Sequence, residues 1–330
     1  MWDQLNNLGD NPAVGIGGHV LHGGQGHSSH TYGLTLDFLL SAEIVLANGS
    51  HVRASHTQHP ELFWALRGAG MSYGIVTSFT FRTVPAPEKN VLFYYGYIWN
   101  RTQAIDGWMA FQNYCAGRTE PIVPREMNIR VFVGQCDGVN LLFLFEGVYH
   151  GTLSDFDIAI QPLLDALDGI GGLDSVNAGA HSVGWLDSLL YANNNALYSN
   201  WGTGEGLEVP FNYTVYAKSL MTNDLSIVGV IVWLDRLYNT GPSNNLVTPS
   251  YCLSSSSPSL LLKRINLTLP QSWYLIISAQ GGPTSLVSLV PPTSTSYAHR
   301  SQLFEWQFVT GVASSSSPFP IQQAYSFLTL

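Results

Sequence analysis

The chain has 330 residues, of which 45% are hydrophobic and 11% are charged, and its formal net charge is −9. This composition supports a sizeable core and excludes disorder as the default state. The acidic balance argues against a nucleic-acid partner. No run of 18 apolar residues occurs, so we expect no membrane span. The length allows one large or two ordinary domains, at ~150 residues per domain.

The chain has three cysteines, Cys115, Cys136 and Cys252, and no two of them have the CxxC spacing. This pattern supports neither a zinc site nor a dense disulfide framework. One internal bridge at most can form, and the sequence leaves its pairing open. The amino-terminal stretch is polar, so we expect no signal peptide on this chain.

A proline-rich break at Pro85–Pro87 divides the chain into two regions, and we place a domain boundary at residue 86. Before the break, Glu43–Leu46 and Ile75–Phe81 have strand patterns, the second with apolar residues on alternate positions. Between them, a helical turn begins near His59 and ends at Gly68. The two predicted domains are therefore 1–86 and 87–330.

The second region mixes helices and strands, which favours an α+β domain with an antiparallel sheet flanked by helices. Ser154 is the expected N-cap of its second helix. Runs of serine near residues 254–257 and 314–317 predict either flexible loops or an unreliable gene model. The predicted elements are strands Val91–Trp99, Met127–Val133, Leu141–Val148, Tyr213–Leu220 and Trp273–Ala279, and helices Thr102–Ala116 and Asp155–Leu167.

The segment Val14–Asp37, VGIGGHVLHGGQGHSSHTYGLTLD, is dense in glycine and histidine. Glycines let backbone N–H groups approach a phosphate or a ring closely. The dinucleotide fingerprint fails because Val20 and Ser29 occupy its third glycine position, and the phosphate-loop pattern lacks its lysine. The four histidines match no metal-ligand spacing, so we expect no metal, and a structural hydrogen-bonding role stays open for each.

Several motifs in order along the chain together carry a resemblance to a known family. They are VGIGGHVLHGGQG, YGLTLD, ELFWALRGAGMSYGIVTSFTFRTVPAP, FNYTVYAKSLM, QGGPTS and SYAHR followed by EWQF. With these motifs the chain resembles the berberine-bridge-enzyme-like FAD-linked oxidases, particularly the fungal gluco- and chito-oligosaccharide oxidases.

The resemblance implies the PCMH-type FAD fold of the vanillyl-alcohol-oxidase class. Residues 1–86 would be the carboxyl-terminal part of the FAD-binding domain, and 87–330 a substrate-binding domain that is incomplete at its end. His19 would lie beside the flavin, and Gln307 would face the sugar. Aromatic faces for sugar stacking could come from Trp185, Tyr213, Tyr216 and Trp306, or these could be core residues. The residues implied to contact FAD are Gly15, Gly17, Gly18, His19, Gly23, Gly24, Gly26, Gly74, Ile75 and Val76, although the last three also fit a plain core strand.

The chain departs from the family motif at Asn11, which stands where the family has a flavin-bonded cysteine. An amide cannot form that thioether, so any FAD would be bound without a cysteinyl link. The family's histidine anchor and its tyrosine base match no residue here, so we expect a chain truncated at both ends. The catalytic residue is therefore left unknown, and we expect the chain alone to bind FAD weakly or not at all.

The expected function is that of an FAD-dependent oxidoreductase. It would oxidise a sugar or alcohol hydroxyl, with hydride transfer to flavin and reduction of O2 to H2O2. Two alternatives stay open, a catalytically inactive fragment or pseudoenzyme and an FAD-linked oxidase of secondary metabolism. We expect a monomer with no nucleic-acid or membrane partner. The full-length parent is expected to be extracellular, and the location of this chain is left open.

Overall fold

Two antiparallel sheets carry the fold, in a computed structural model that describes residues 4–5, 14–136, 139–192, 214–240 and 272–312. The larger sheet has seven strands in the order β10-β12-β11-β7-β8-β6-β9, the smaller has the order β3-β2-β4, and β1 pairs with β5 alone. The strands are β1 (Gln4–Leu5), β2 (Leu39–Leu46), β3 (His51–Ser55), β4 (Gly74–Phe81), β5 (Val84–Pro85), β6 (Asn90–Trp99), β7 (Met127–Gln135), β8 (Leu141–Tyr149), β9 (Leu173–Val183), β10 (Thr214–Thr222), β11 (Ser272–Ala279) and β12 (Phe304–Val312).

Helices cover one face of the larger sheet, and others pack in the core of the smaller one. Three of them, α4, α5 and α7, pack on the larger sheet and bury a core with it. A one-turn helix, Leu286–Leu289, follows β11. The helices are α1 (Ile16–Leu21), α2 (Ser29–Tyr32), α3 (Pro60–Ala69), α4 (Arg101–Cys115), α5 (Leu153–Asp168), α6 (Trp185–Ala192) and α7 (Ile227–Thr240).

The core of the larger sheet is aromatic. Trp306 of β12 lies 5.1 Å from Trp108 of α4 and 5.0 Å from Trp233 of α7, measured between ring centroids. Because side chains alternate along a strand, Phe304 and Phe308 face the same helices. Each fully buried side chain of this kind contributes about 1.5–3 kcal/mol. Trp306 is therefore a core residue, which is one of the two roles that the sequence left open for it.

The caps of two long helices show how the sequence sets their starts. Asn100 and Gln103 form a reciprocal capping box at α4, where each side chain accepts a hydrogen bond from the backbone N–H of the other residue. At α5, the Thr152 hydroxyl accepts the backbone N–H of Asp155 at 3.2 Å. Ser154, the predicted cap, lies inside α5 instead, because Thr152 already occupies the position two residues earlier.

The smaller sheet has its own core, and residues far along the chain complete it. Val20 and Leu21 of α1, Ile44 of β2 and Phe63 of α3 pack with Val287 and Tyr297 in one cluster. The segment 285–300 therefore returns to the first region. The boundary predicted at residue 86 separates the strands of the two sheets. It does not separate their cores, because Val287 and Tyr297 from the second region belong to the core of the smaller sheet.

The predicted strands of the larger sheet are present with bounds that differ by one or two residues. No bounds were predicted for β1, β3, β5, β9, β12, α1, α2, α6 and α7. Cys115 is a free, buried thiol, and Cys136 is disulfide-bonded. Asn11, Tyr213, Cys252 and both serine runs lie outside the described residues. Within the described ranges, the helices are all too short or too polar to cross a membrane.

Candidate functional site

A cavity of about 290 Å³ lies between the Gly/His-rich loop and the face of the larger sheet opposite the helices. The loop contributes one wall and strands β7, β10, β11 and β12 the other. Tyr297, from the returning segment, closes one end. The lining residues are Gly18, His19, His22, Gly23, Gly24, Gln25, Gly26, His27, Ser29, His30, Asn128, Ile129, Arg130, Met221, Ser278, Ala279, Gln280, Tyr297, Glu305 and Gln307.

A transverse row of side chains forms the floor of the cavity. Strand register places Arg130 opposite Ser278, Ser278 opposite Glu305, and Glu305 opposite Met221. Gln307 stands two residues further along β12, so it points to the same face as Glu305. The alternate residues of these strands lie in the helix-facing core. The floor is therefore polar at this row, whereas Phe132, Tyr274 and Ile276 form an apolar cluster further along the same face.

An ion pair holds one end of this row. Arg130 Nε donates to Glu146 Oε1 at 2.8 Å, and the two side chains are 12% and 3% exposed. Glu146 lies directly opposite Arg130 on β8. At this burial the pair is only weakly screened by solvent. The carboxylate therefore holds the guanidinium in a defined position at the cavity wall.

Two glycines give the loop its shape. Gly23 and Gly24 have φ angles of +123° and +79°, which L side chains rarely adopt. A Cβ on Gly23 would lie 2.8 Å from the Tyr297 ring, and one on Gly24 would lie 2.4 Å from Thr35 Cβ. The backbone N–H of Thr35 donates to Gly24 O at 2.9 Å, which holds this close approach.

A second set of glycines leaves open space. A Cβ added to Gly15 or Gly18 would have no neighbour within 4 Å, and one on Gly17 would touch only the Phe79 ring at 3.9 Å. Gly18 lines the cavity, so its missing side chain leaves room there. This part of the loop presents bare backbone to a ligand, unlike the tightly packed Gly23 and Gly24.

His19, which the resemblance places beside the flavin, lines the cavity. His19 is in the last turn of α1, and its ring would come within 3.0 Å of a Cβ on Gly24. His22 lines the same wall, and its Nδ1 is 2.8 Å from Gly18 O. Over the part of the chain that the structure describes, no three His, Cys, Asp or Glu side chains could hold a metal ion together.

Other predicted residues lie elsewhere. Gly74, Ile75 and Val76 are on β4 and do not line this cavity, and Ile75 is 75% exposed. A Cβ on Gly74 would lie 2.3 Å from Val45 O, so strand pairing with β2 explains that glycine. Their predicted contact with a cofactor stays a prediction.

The structure does not bring the two predicted substrate residues together. Tyr216 pairs with Thr310 on β12, three positions from Gln307, and therefore points to the opposite face of the sheet. Trp185, another predicted stacking residue, packs beside the His150 ring at a centroid distance of 6.0 Å. Of these, only Gln307 lines the cavity.

Residues without a sequence prediction complete the site. Asn128 and Arg130 are the polar positions of β7, alternating with the buried Met127, Ile129 and Val131. This alternation was visible in the sequence and could have identified them. Tyr297 donates its hydroxyl to Gln280 Oε1 at 3.0 Å, and burial raises the pKa of Tyr297 to about 12.

Comparisons with known proteins identify the family of the chain. The FAD binding domain family (FAD_binding_4) matches residues 2–55. The xylooligosaccharide oxidase of Thermothelomyces thermophilus is 37% identical over 292 residues, covering 88% of this chain and 50% of that protein. The glucooligosaccharide oxidase of Sarocladium strictum is 32% identical over 336 residues, covering 99% of this chain and 58% of that protein.

The fold is similar as well. The structure of BBE-like 1 from Physcomitrella patens superposes with a TM-score of 0.73 at 27% identity, covering 99% of this chain and 61% of that one. The chain spans about half the length of the curated relatives it matches. The α+β class and the PCMH-type fold are confirmed. By sequence and by fold, the chain is thus a homologue of the berberine-bridge-enzyme-like FAD-linked oxidases, with fungal oligosaccharide oxidases among its relatives.

Proposed function

We propose that this chain supplies one wall of an FAD site and the substrate-facing sheet of an oxidase that acts on a sugar hydroxyl. The observation that carries the proposal is the cavity itself, with bare glycine backbone on one side and polar side chains on the other. The names of the xylo- and glucooligosaccharide oxidases support the same substrate class.

The residues present fit FAD. Gly15 and Gly18 leave space that a side chain would fill, and Gly18 and His19 both line the cavity. When bound, FAD would take a hydride from the substrate carbon and pass the electrons to O2, which gives H2O2. We propose that Gly15, Gly17, Gly18, Gly23, Gly24 and Gly26 hold the cofactor by their backbone. Asn11 lies outside the described residues, and its amide would leave FAD without a cysteinyl bond.

The polar floor is suited to a hydroxyl-rich substrate. Gln307 has an amide that both donates and accepts, and Glu305 and Arg130 add an acceptor and a donor on the same face. Such groups lose affinity for an analogue that lacks the matching hydroxyl, because buried polar groups are then unpaired. We therefore propose Gln307 as a sugar-contacting residue and leave Tyr216 out of the site.

One residue that lines the cavity, Tyr297, is a candidate for the catalytic base. However, its hydroxyl donates to Gln280 and its pKa is raised to about 12, so the phenol stays protonated at neutral pH. We assign Tyr297 to the support of the loop, and the catalytic base stays unassigned. We propose O2 as co-substrate, a monomeric state and an extracellular full-length parent.

A titration of free FAD into the chain tests the proposal. We expect saturable quenching of flavin fluorescence, even if the affinity is weak. Gly18→Leu, which fills the open space, should abolish the quenching. Gly169→Leu is the matched control, because a Cβ there would make only ordinary contacts at 3.6 Å, far from the cavity, at the end of α5. Equal binding by both variants, or none by the parent chain, would refute the FAD site.

A further inference from the structure

A short stretch of the loop, residues 28–31, is fastened to the larger sheet by two buried histidines. We infer that Asn90, His150 and Ser28 form a hydrogen-bond relay with one fixed proton arrangement, and that this relay is a positioning device for the cofactor loop. The inference rests on the proposed function, because it assigns the loop to FAD. It adds residues that neither the sequence motifs nor the cavity lining identified.

The relay begins at Asn90, the fully buried first residue of β6. Its Nδ2 donates to Pro87 O at 3.2 Å, which turns Oδ1 toward His150 Nδ1 at 2.7 Å. A carbonyl oxygen only accepts hydrogen bonds, so the proton must be on Nδ1 of His150. The Asn90 amide therefore selects the tautomer of the imidazole.

That tautomer decides what the other ring nitrogen does. In a neutral imidazole with the proton on Nδ1, Nε2 is an acceptor. Ser28 Oγ is 3.0 Å from Nε2 and so donates its hydroxyl proton there. Ser28 is the N-cap residue of α2, yet its side chain makes no capping bond. A serine at an N-cap ordinarily accepts a backbone N–H, so this hydroxyl is committed to His150 instead.

The relay is buried, and two aromatic rings lie beside its imidazole. Ser28 and His150 are 3% and 8% exposed. The rings of Tyr32 and Trp185 lie 5.7 and 6.0 Å from His150, and its backbone N–H donates to Glu126 O. Burial, and to a smaller extent His27, lower the pKa of His150 to about 3, which agrees with a neutral ring.

A second fastening lies two residues along the loop. His30 Nδ1 is 3.0 Å from Arg125 O and donates to it, and the His30 backbone N–H donates to Asn128 Oδ1 at 3.1 Å. Asn128 Nδ2 donates in turn to Thr31 Oγ1 at 2.7 Å. Asn128 is on β7 beside Arg130 and lines the cavity. This second set joins the same loop to the cavity floor.

The relay acts on the cavity through one residue. Ser29, next to Ser28, accepts the backbone N–H of Gly26 at 2.8 Å, and Gly26, His27, Ser29 and His30 all line the cavity. If Ser28 loses its acceptor, the turn that carries Gly26 loses its link to β8. His150 does not line the cavity, so it acts on a ligand only through the loop.

The first test measures the protonation of His150 directly, on the whole chain labelled with ¹⁵N-histidine. We expect the His150 signals to show Nδ1 protonated and Nε2 unprotonated between pH 6 and 8, and to switch in Asn90→Leu. An Nε2-protonated ring, or a charged one, in the parent chain would overturn the relay. This readout needs no FAD and therefore stands apart from the proposed function.

The second test measures FAD affinity by fluorescence quenching in folded variants. His150→Leu removes the acceptor and should weaken FAD binding roughly tenfold, about the loss of one buried hydrogen bond. His150→Gln places an amide oxygen near the position of the imidazole Nε2, where it can accept the Ser28 hydroxyl. This variant should therefore keep most of the affinity for FAD. His181→Leu, at an exposed histidine of β9, is the control and should change little.

The outcomes separate the two claims. If the parent chain binds FAD and His150→Leu binds it equally well, the positioning role is wrong. If the parent chain does not bind FAD while His150 shows the expected tautomer, the proposed cofactor fails and the relay remains. If His150→Leu does not fold, Ser28→Ala, which keeps the ring, should still show the roughly tenfold loss of affinity.

Discussion

Arg300 and Asp37 are 263 positions apart in the chain and form an ion pair in which Nη2 donates to Oδ1 at 2.6 Å. The Arg300 side chain is completely buried, and Asp37 also accepts the backbone N–H of Leu34. The pair fastens the returning segment 285–300 to the loop that precedes β2. It makes the small core depend on a residue near the end of the described chain.

Removing this arginine should be costly. Arg300→Met leaves the Asp37 carboxylate without its partner, and we expect a loss of about 3–5 kcal/mol in the free energy of unfolding, measured with urea. Arg53→Met is the control, because the Arg53–Glu43 pair is half exposed at 3.8 Å and should contribute no more than about 1 kcal/mol. Equal losses in the two variants would contradict the role given to Arg300.

Adding a methyl group to each of the two kinds of glycine should change the stability of the chain by different amounts. Gly24→Ala combines a positive φ with an overlap against Thr35, so we expect ~2–4 kcal/mol of destabilisation. Gly18→Ala lies in α1 with open space around it and should change stability by less than about 1 kcal/mol. Thermal unfolding of both variants measures this difference, and a stable Gly24→Ala would show that the loop geometry is wrong.

The two faces of β12 and β10 should differ in function. Gln307→Met removes the amide from the cavity floor while keeping its length, and we expect kcat/KM for sugar-dependent peroxide release to fall about tenfold. Tyr216→Phe alters the other face of the sheet and should leave kcat/KM within about twofold of that of the parent chain. The reverse pattern would place the substrate on the helix-facing side and refute the proposed floor.

The buried histidines predict a loss of stability in acid. Burial lowers the pKa values of His150 and His30 to about 3 and about 4, against 6.5 in the unfolded chain. The contribution of the two histidines to the free energy of unfolding is complete above pH 6.5. It is lost as the pH falls toward their folded-state pKa values, because only the unfolded chain then takes up the protons. Between pH 7.5 and 5, each ring should lower the free energy of unfolding by ~2 kcal/mol.

Urea unfolding at the two pH values measures this effect. The groups that face these rings are His27 and Tyr32 near His150 and Arg125 near His30. His150→Gln should remove about half of the pH dependence, because glutamine does not titrate. His181→Gln, at an exposed position, serves as the matched control. A pH dependence that persists unchanged in His150→Gln would mean that this ring is already charged in the folded chain.

The sequence predicted the elements whose pattern is strong and local. Strands such as Leu141–Tyr149 are almost wholly apolar, and α5 has a clear apolar side, so both were predicted. Strand β9 (Leu173–Val183) was missed because it lies at the sheet edge and is rich in small and polar residues. Pairing with β6, rather than its own composition, makes it a strand.

The part of the site that the sequence predicted is mostly the glycine-rich motif. Gly18, His19, Gly23, Gly24 and Gly26 line the cavity, whereas Gly15 and Gly17 do not, and Gln307 on β12 also lines it. Their contact with a cofactor or a sugar stays a prediction. Glu305 was missed because its exposure to the cavity depends on which sheet face meets the loop, and Tyr297 because it reaches the loop only through the returning segment 285–300. That choice is made by packing between segments more than 90 residues apart, and a single sequence does not encode it in any local pattern.

The late arrival of Tyr297 has a consequence for biosynthesis. The ring that supports Gly23 is made some 270 residues after the loop, and the small core also waits for Val287. Since a chain emerges from the ribosome amino terminus first, the glycine loop leaves the exit tunnel long before its support exists. Such long-range closure is slow to form. Under the proposed function, the loop would therefore be ready for FAD only after residues 285–300 are translated, and a ribosome stalled before them would carry a nascent chain whose glycine loop lacks this support.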